Sequence, residues 1–191
     1  MAYFLIDHNI EPGCYLVKDI KALGSPEQTG TGLMKLSEIS THLSYGQSIQ
    51  SCMIEETSRS TYCTVGKSRP VLSMDTYRQL RIPIEMNRWF VDRISEEGCV
   101  DELQAWRDSG LNLPYTEAAI NSASANGHVA VLEWWKSSGL CLKYTENAIL
   151  FATIRNHDET LSWWRNSGLR MLYPENILDY AILHDSYRTL G

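Results

Sequence analysis

A six-residue segment recurs three times in this chain at a fixed interval of 29 residues. Each copy reads Trp-x-x-Ser-Gly-Leu, and the copies begin at Trp106, Trp135 and Trp164. Eight positions of the period carry the same residue in all three copies, whereas chance would supply fewer than one. A period of this length predicts supersecondary units that bury their apolar faces against their neighbours. With their equivalents in the other copies, the eight positions are those of Leu132, Trp135, Ser138, Gly139, Leu140, Tyr144, Glu146 and Ala152.

Each repeat is predicted to hold two helices. Thr116 and Thr145 are suited to cap the first helix, because a threonine hydroxyl accepts hydrogen bonds from the unpaired amides of a first turn. Pro174 stands at the same position of the third copy, where its fixed φ suits a helix entry. Gly127 would turn the chain between the helices, and Gly139 would end the second helix in the left-handed conformation.

The end of the second helix is predicted to be a Schellman motif. In that arrangement the residue after the glycine packs near the side chain four positions before the glycine, so Leu140 would contact Trp135. The tryptophan and the leucine of the repeated segment are therefore interpreted as packing residues and not as a ligand signature.

The repeats resemble those of the ankyrin family. Residues 124–132 are similar to the family's helix–turn–helix core, and Ser138-Gly139-Leu140 is similar to its helix end. The resemblance covers residues 82–191, with three departures: a shorter period than the usual 33 or so, a Tyr-Thr-Glu entry in place of Thr-Pro-Leu-His, and tryptophans in the second helix. It implies an all-α, ankyrin-like helix–turn–helix solenoid with shortened fingers between its units.

The chain is predicted to divide at residue 70. Residues 1–70 suggest a short strand at 15–17 and a helix at 33–43, but no sustained period, so this segment is expected to be a small mixed element or a partly ordered lead-in of unknown fold. Residues 71–191 would hold about four repeats, the first being a capping unit at 82–100 with Asn87 as its N-cap. The last repeat is incomplete, and we expect a fragment, an incomplete gene product, or an end that is buried against a partner or a second copy.

Charge and composition exclude several classes of function. The net charge is −6, and residues 71–191 hold 16 acidic and 11 basic side chains, so a nucleic-acid partner is not expected. No stretch reaches the roughly 18–20 apolar residues that cross a bilayer, and no membrane partner is expected. Five cysteines without Cys-x-x-Cys spacing favour an intracellular location in the cytoplasm or nucleus and argue against a structural metal site.

No residue pattern in the chain predicts catalysis or a cofactor. Gly66-Lys67-Ser68 resembles the end of a phosphate-binding loop, but Thr61 stands where the first glycine belongs and Arg69-Pro70 replaces the helix. Asp7-His8 and His42 show no spacing that would join them as nucleophile and base. The chain is therefore predicted not to be an enzyme.

The predicted function is a non-catalytic protein–protein interaction scaffold, and two alternatives stand beside it. The first is an enzyme whose site lies in residues 1–70, with the repeats as a targeting module. The second is a substrate-recognition adaptor for ubiquitin transfer, in which residues 82–85 begin an F-box-like helix. Continuity of the repeat phase through these residues favours the repeat interpretation.

A partner is expected to contact positions that vary between the copies, because repeat proteins bind through variable residues on a fixed framework. On the predicted first helices these positions are Asn121, Leu150 and Asp179; Ser122, Phe151 and Tyr180; and Ala125, Ile154 and Leu183. The two aromatic residues have a second interpretation, in which they fill the layer between repeats. His128 and His157 share one position and are interpreted as hydrogen-bonding residues, not as metal ligands.

Overall fold

The computed structural model describes residues 2–6, 12–16, 34–35, 39, 43, 46–56, 58, 60–175 and 177. The chain forms two compact units, Met1–Arg88 and Trp89–Gly191. The predicted boundary at residue 70 falls inside the first unit. All six tryptophans belong to the second unit.

The first unit is built on an antiparallel β-sheet. Within the described residues the strands are β1 (Ala2–Ile6), β2 (Gly13–Leu16), β3 (Met34–Lys35), β4 (Ser48–Glu56), β5 (Thr61–Val65) and β6 (Arg69–Pro70). The strand order is β2-β5-β4-β1-β3, and β6 pairs with β4. β1 pairs with β4 along its whole length, which places Tyr3 opposite Cys52.

Alternation along the strands gives the sheet one buried face. On β5, Cys63 and Val65 are buried whereas Tyr62 and Thr64 are exposed. This alternation follows from strand geometry, in which successive side chains point to opposite faces. The buried cluster consists of Leu5, Cys52, Cys63 and Val65, with Tyr3 packed against it.

The sheet shows that the prediction of an all-α, ankyrin-like solenoid is wrong for this chain. The described part is mixed α/β, because the segment that was assigned no fold contains all six strands. The strand predicted at 15–17 is present as β2, although position 17 lies outside the described residues. In the region of the helix predicted at 33–43, Met34–Lys35 are a strand, and most of the other positions lie outside the described residues.

A helix, α1 (Met74–Leu80), and a 3-10 turn (Ile84–Met86) follow the sheet in the first unit. Asn87 is buried there, and its side-chain Nδ2 donates to the Tyr77 hydroxyl at 2.8 Å and to the Leu43 carbonyl at 3.1 Å. The prediction that Asn87 caps the first repeat helix is wrong, because that helix begins at Phe90 and Asn87 Oδ1, the atom that would cap it, accepts no hydrogen bond in the described part of the chain. That helix has Trp89 at its N-cap.

The second unit contains three helix pairs in its described part. The helices are α2 (Phe90–Glu96), α3 (Val100–Ser109), α4 (Ala118–Ala125), α5 (Val129–Ser137), α6 (Asn147–Ile154) and α7 (Asp158–Asn166). The first helix of the middle pair, α4, packs between the first helices of the other two pairs, α2 and α6, and the second helices contact one another less extensively. Two helices per repeat are confirmed.

The turn within each helix pair leaves room for the next pair. Gly98 and Gly127 have φ angles of +76° and +79°. A Cβ added at Gly98 would lie 2.9 Å from Nδ1 of His128, and one added at Gly127 would lie 2.9 Å from Nδ1 of His157. The two histidines thus pack against the turn of the preceding pair. The third turn has Asn156 with a φ of +56°, a residue type that tolerates the left-handed region.

Threonine hydroxyls cap the first helices as predicted. Thr116 Oγ1 accepts the amide of Ala118 at 3.1 Å, and Thr145 Oγ1 accepts the amide of Asn147 at 3.3 Å. Each hydroxyl therefore satisfies one of the amides that a first helical turn leaves without an intrahelical partner.

A serine hydroxyl closes each second helix. Ser138 Oγ donates to the Trp135 carbonyl at 2.7 Å and accepts the amide of Leu140 at 3.1 Å, and the equivalent serines of the other two copies make the same pair of bonds. Gly139 has the predicted left-handed φ, +75°. The hydroxyl takes the place of the direct backbone bond of a Schellman motif, so the predicted motif is wrong while its glycine is confirmed.

Alanine at Gly127 should destabilise the second unit more than alanine at Gly139. At both sites the left-handed φ costs an L-residue about 1–2 kcal/mol of stability. A Cβ at Gly127 would also collide with the His157 ring, whereas nothing lies within 4 Å of a Cβ at Gly139. Tryptophan fluorescence during urea unfolding measures the free energy, since every tryptophan is in this unit. In a His157→Ala background the two alanine variants should lose the same amount of stability. Equal losses in the wild-type background would contradict the packing of His157 against Gly127.

Iodoacetamide should alkylate Cys141 well before Cys52 in the native chain. Cys141 is exposed, whereas Cys52 is buried, and burial together with the neighbouring Cys63 raises the pKa of the Cys52 thiol. A raised pKa lowers the fraction of reactive thiolate. Mass spectrometry of peptides after timed alkylation gives both rates, which should approach each other in urea. Rapid alkylation of Cys52 in the native chain would contradict the burial of this face of the sheet.

Candidate binding groove on the helical unit

A groove of about 370 Å³ lies on the layer of first helices in the second unit. Its sides come from the end of α2, from α4 and from α6. It combines small, amide-bearing, charged and aromatic side chains. The lining residues are Glu96, Glu117, Ala118, Asn121, Ser122, Ala125, Asn126, Asn147, Phe151 and Arg155.

The groove exists because α4 carries smaller side chains than α6 at equivalent positions. Ala118 and Ser122 stand 29 residues before Asn147 and Phe151. The lining positions of α6 follow one another at four-residue steps, so they share one helix face. The small residues of α4 form the floor beside that face, and the larger residues of α6 form a wall.

Three polar groups of the groove are engaged in hydrogen bonds within the helical unit. The Asn121 side chain donates to Thr145 Oγ1 at 2.9 Å and accepts the Thr145 amide at 3.1 Å. Asn126 Nδ2 donates to the Glu96 carbonyl at 2.9 Å. Arg155 Nη1 donates to the Ala125 carbonyl at 3.1 Å and also to Asn126 Oδ1. These groups hold the groove together.

Other lining groups are available to a ligand. Within the described residues, no ion pair or hydrogen bond involves the carboxylates of Glu96 and Glu117, the Ser122 hydroxyl or the Asn147 side-chain amide. Phe151 is 40% exposed. The groove therefore presents two carboxylates, a hydroxyl, an amide and an aromatic ring to solvent.

The structure brings four of the predicted partner-binding residues together in this groove: Asn121, Ser122, Ala125 and Phe151. Leu150 and Ile154 are half-buried and are not among its lining residues. Asp179, Tyr180 and Leu183 lie outside the described residues, as does the incomplete last repeat for which self-association was predicted. Phe151 is too exposed to fill a layer between repeats, so that interpretation of Phe151 is wrong.

The position of Asn121 serves contact between repeats. One copy earlier, Asp92 Oδ1 accepts the Thr116 amide at 2.8 Å, and its Oδ2 accepts the Thr116 hydroxyl at 2.7 Å. One copy later Asn121 contacts the same two groups of Thr145: its Oδ1 accepts the amide, and its Nδ2 donates to the hydroxyl oxygen.

In the third copy the corresponding residues are Leu150 and Pro174. Proline has no amide hydrogen and no hydroxyl, so the apolar Leu150 leaves no hydrogen-bond donor of Pro174 unsatisfied. Variation between Asp92, Asn121 and Leu150 therefore matches the residue 24 positions later.

Sequence reasoning missed five polar lining residues of the groove. Glu117 was assigned to the framework that is identical in the three copies, although it lines the groove. Glu96, Asn126, Asn147 and Arg155 belong to positions that also vary between copies. The four-residue spacing from Asn147 through Phe151 to Arg155 was the available signal, because it marks one face of a helix.

Of the groups considered for chemistry, Asp7, His8 and His42 lie outside the described residues, and Lys67 is not a lining residue of this groove. Gly66-Lys67-Ser68 is the loop between β5 and β6. No cluster of three or more histidine, cysteine, aspartate or glutamate side chains suited to a metal ion occurs in the part of the chain that the structure describes. Among the same residues, no helix has the length and apolar character needed to cross a bilayer.

No protein-family model, no curated protein and no solved structure matches this chain. The resemblance to ankyrin repeats thus rests on the sequence pattern alone.

Leucine at Asn121 should destabilise the second unit by about 1–2 kcal/mol, because the amide and hydroxyl of Thr145 would lose their partner. The double variant Asn121→Leu, Thr145→Pro reproduces the pair found in the third copy and should recover part of that loss. Urea unfolding of both single variants and the double variant gives the coupling free energy. Additive costs would contradict the pairing of these positions.

Proposed function

We propose that this chain is a non-catalytic protein-binding module and that the groove on α2, α4 and α6 is its binding surface. The observation that carries the proposal is Phe151, whose ring is 40% exposed beside a floor of small side chains. In the same unit, Trp135 and Trp164 are each 1% exposed. An aromatic ring left open in a concave site is the type of residue that anchors protein interfaces.

The chemistry of the lining also supports binding. In the described part of the chain, the Ser122 hydroxyl makes no hydrogen bond to either lining carboxylate, so the groove shows no nucleophile paired with a base. Its engaged amides and guanidinium fix the shape, and its available groups can make hydrogen bonds and apolar contacts. A preformed surface of this kind loses little conformational entropy when a partner binds.

A protein partner agrees better with the charge of this unit than a nucleic acid does. Residues 89–191 hold 14 acidic and 8 basic side chains. A polyanion would be repelled, because its binding depends on basic side chains that release phosphate counterions. We place this function inside the cell, in the cytoplasm or nucleus, since Cys52 is a buried thiol packed beside Cys63 and reducing compartments preserve such thiols.

Replacing Phe151 with alanine should weaken partner binding by roughly 5- to 30-fold, the range expected when an interface loses a central aromatic anchor. The measurement is affinity capture by the full chain from cells that express it, with quantitative mass spectrometry of the captured proteins. Ser122→Phe should have the same effect, because it fills the groove with the residue that α6 carries at the equivalent position.

The matched control is Leu111→Ala, which truncates a side chain of similar exposure, 38%, that does not line the groove. A true partner is captured undiminished by this variant and more weakly by the two groove variants. If every captured protein binds all three variants equally, the groove is not the binding surface. Urea unfolding followed by tryptophan fluorescence verifies that the variants remain folded.

A further inference from the structure

We infer that the groove selects a peptide segment in which a basic side chain stands next to an apolar one. This inference rests on the proposed function and names the class of partner that the groove recognises. It comes from the balance between engaged and available groups among the lining residues.

The charges of the groove favour a cation. Glu96 and Glu117 are exposed carboxylates, and neither has an ion-pair partner in the described part of the chain. The one lining cation, Arg155, already donates to the Ala125 carbonyl and to Asn126 Oδ1. A lysine or arginine of the ligand would meet two available carboxylates, whereas an acidic side chain would be repelled by them.

The apolar part of the groove stands beside those carboxylates. The Phe151 ring and the methyl groups of Ala118 and Ala125 line the same surface. An aliphatic side chain would remove this area from water, and an arginine could also stack on the ring. A purely basic ligand would leave the exposed ring uncovered.

The remaining available groups suit a peptide backbone. Ser122 Oγ and the Asn147 side-chain amide can each donate and accept hydrogen bonds. A peptide that lies in the groove needs such partners, since its own N–H and C=O groups lose water there. Together with the charges, these groups favour an extended protein segment.

The charge of the surrounding unit acts in the same direction. Residues 1–88 hold nine acidic and nine basic side chains, so the whole net charge of −6 belongs to residues 89–191. The resulting potential would attract a basic segment and raise its association rate at low salt.

Three fluorescein-labelled octapeptides test the inference on the full chain. The first has two Arg-Leu pairs in a Gly-Ser background, the second has Glu-Leu pairs, and the third has Arg-Ser pairs. We expect the Arg-Leu peptide to bind at least about fivefold more tightly than either counterpart in fluorescence anisotropy titrations, and to weaken as sodium chloride is raised because salt screens exposed charges.

Variants of the chain connect this preference to the groove. Glu117→Gln should weaken binding of the Arg-Leu peptide by about two- to fivefold, the range for one exposed charge pair. It should not weaken binding of the Glu-Leu peptide. Phe151→Ala should reduce the preference of the chain for the Arg-Leu peptide over the Arg-Ser peptide. The control Glu159→Gln removes an exposed carboxylate of α7 that does not line the groove, and it should change nothing.

The outcomes separate this inference from the proposed function. Tighter binding of the Glu-Leu peptide, or equal effects of Glu117→Gln and Glu159→Gln, overturns the selection of a basic segment. The groove itself remains the binding surface if Phe151→Ala and Ser122→Phe still weaken capture of a cellular partner. If all three peptides bind with the same affinity and neither groove variant alters capture, both the inference and the proposed function fail. Dimerisation through the groove, seen as a mass change between wild type and Ser122→Phe in light scattering, would also overturn the peptide inference.

Discussion

The helical unit depends on side-chain hydrogen bonds that reach from one repeat to the next. Trp135 Nε1 donates to Ser95 Oγ at 3.1 Å, and Trp164 Nε1 donates to Ser124 Oγ at 2.8 Å, each 40 residues back along the chain. Both tryptophans are almost fully buried, so their indole N–H groups require a partner. Because each bond joins fixed positions of successive copies, it sets the separation and register of the helix pairs.

The groove is a consequence of that register. Once α4 and α6 are held in equivalent positions, a difference in side-chain size at one position becomes a difference in surface shape. Ser122 on α4 and Phe151 on α6 illustrate this, since they occupy the same repeat position and lie in one groove. The framework bonds that use Asn121, Asn126 and Arg155 leave the neighbouring carboxylates and the ring available. Binding capacity therefore arises where the repeats differ, on a scaffold fixed by where they agree.

The sheet of the first unit shows where sequence reasoning stopped. β1 pairs with β4 across more than 40 residues, with Ala2 opposite Met53, and no local pattern records such a pairing. Strands β3 and β6 have two residues each, too short for an alternating pattern to be recognised. β4 and β5 are separated by only four residues, with Glu56 opposite Thr61, but neither was predicted; β2 was the one strand predicted. The periodic half of the chain decided the predicted fold class, although residues 1–70 were expected to be a small mixed element or a partly ordered lead-in.

The sequence by itself determined the repeat length, the two helices per repeat, the threonine caps and the left-handed glycine at each helix end, because these depend on local backbone and side-chain chemistry. It also identified the variable positions. Only the tertiary structure decided which of them face a neighbour and which face solvent. Asn121 and Ser122 are adjacent in the sequence, yet successive residues on a helix point about 100° apart. Asn121 thus bonds Thr145 in the next repeat, while Ser122 opens into the groove beside Phe151.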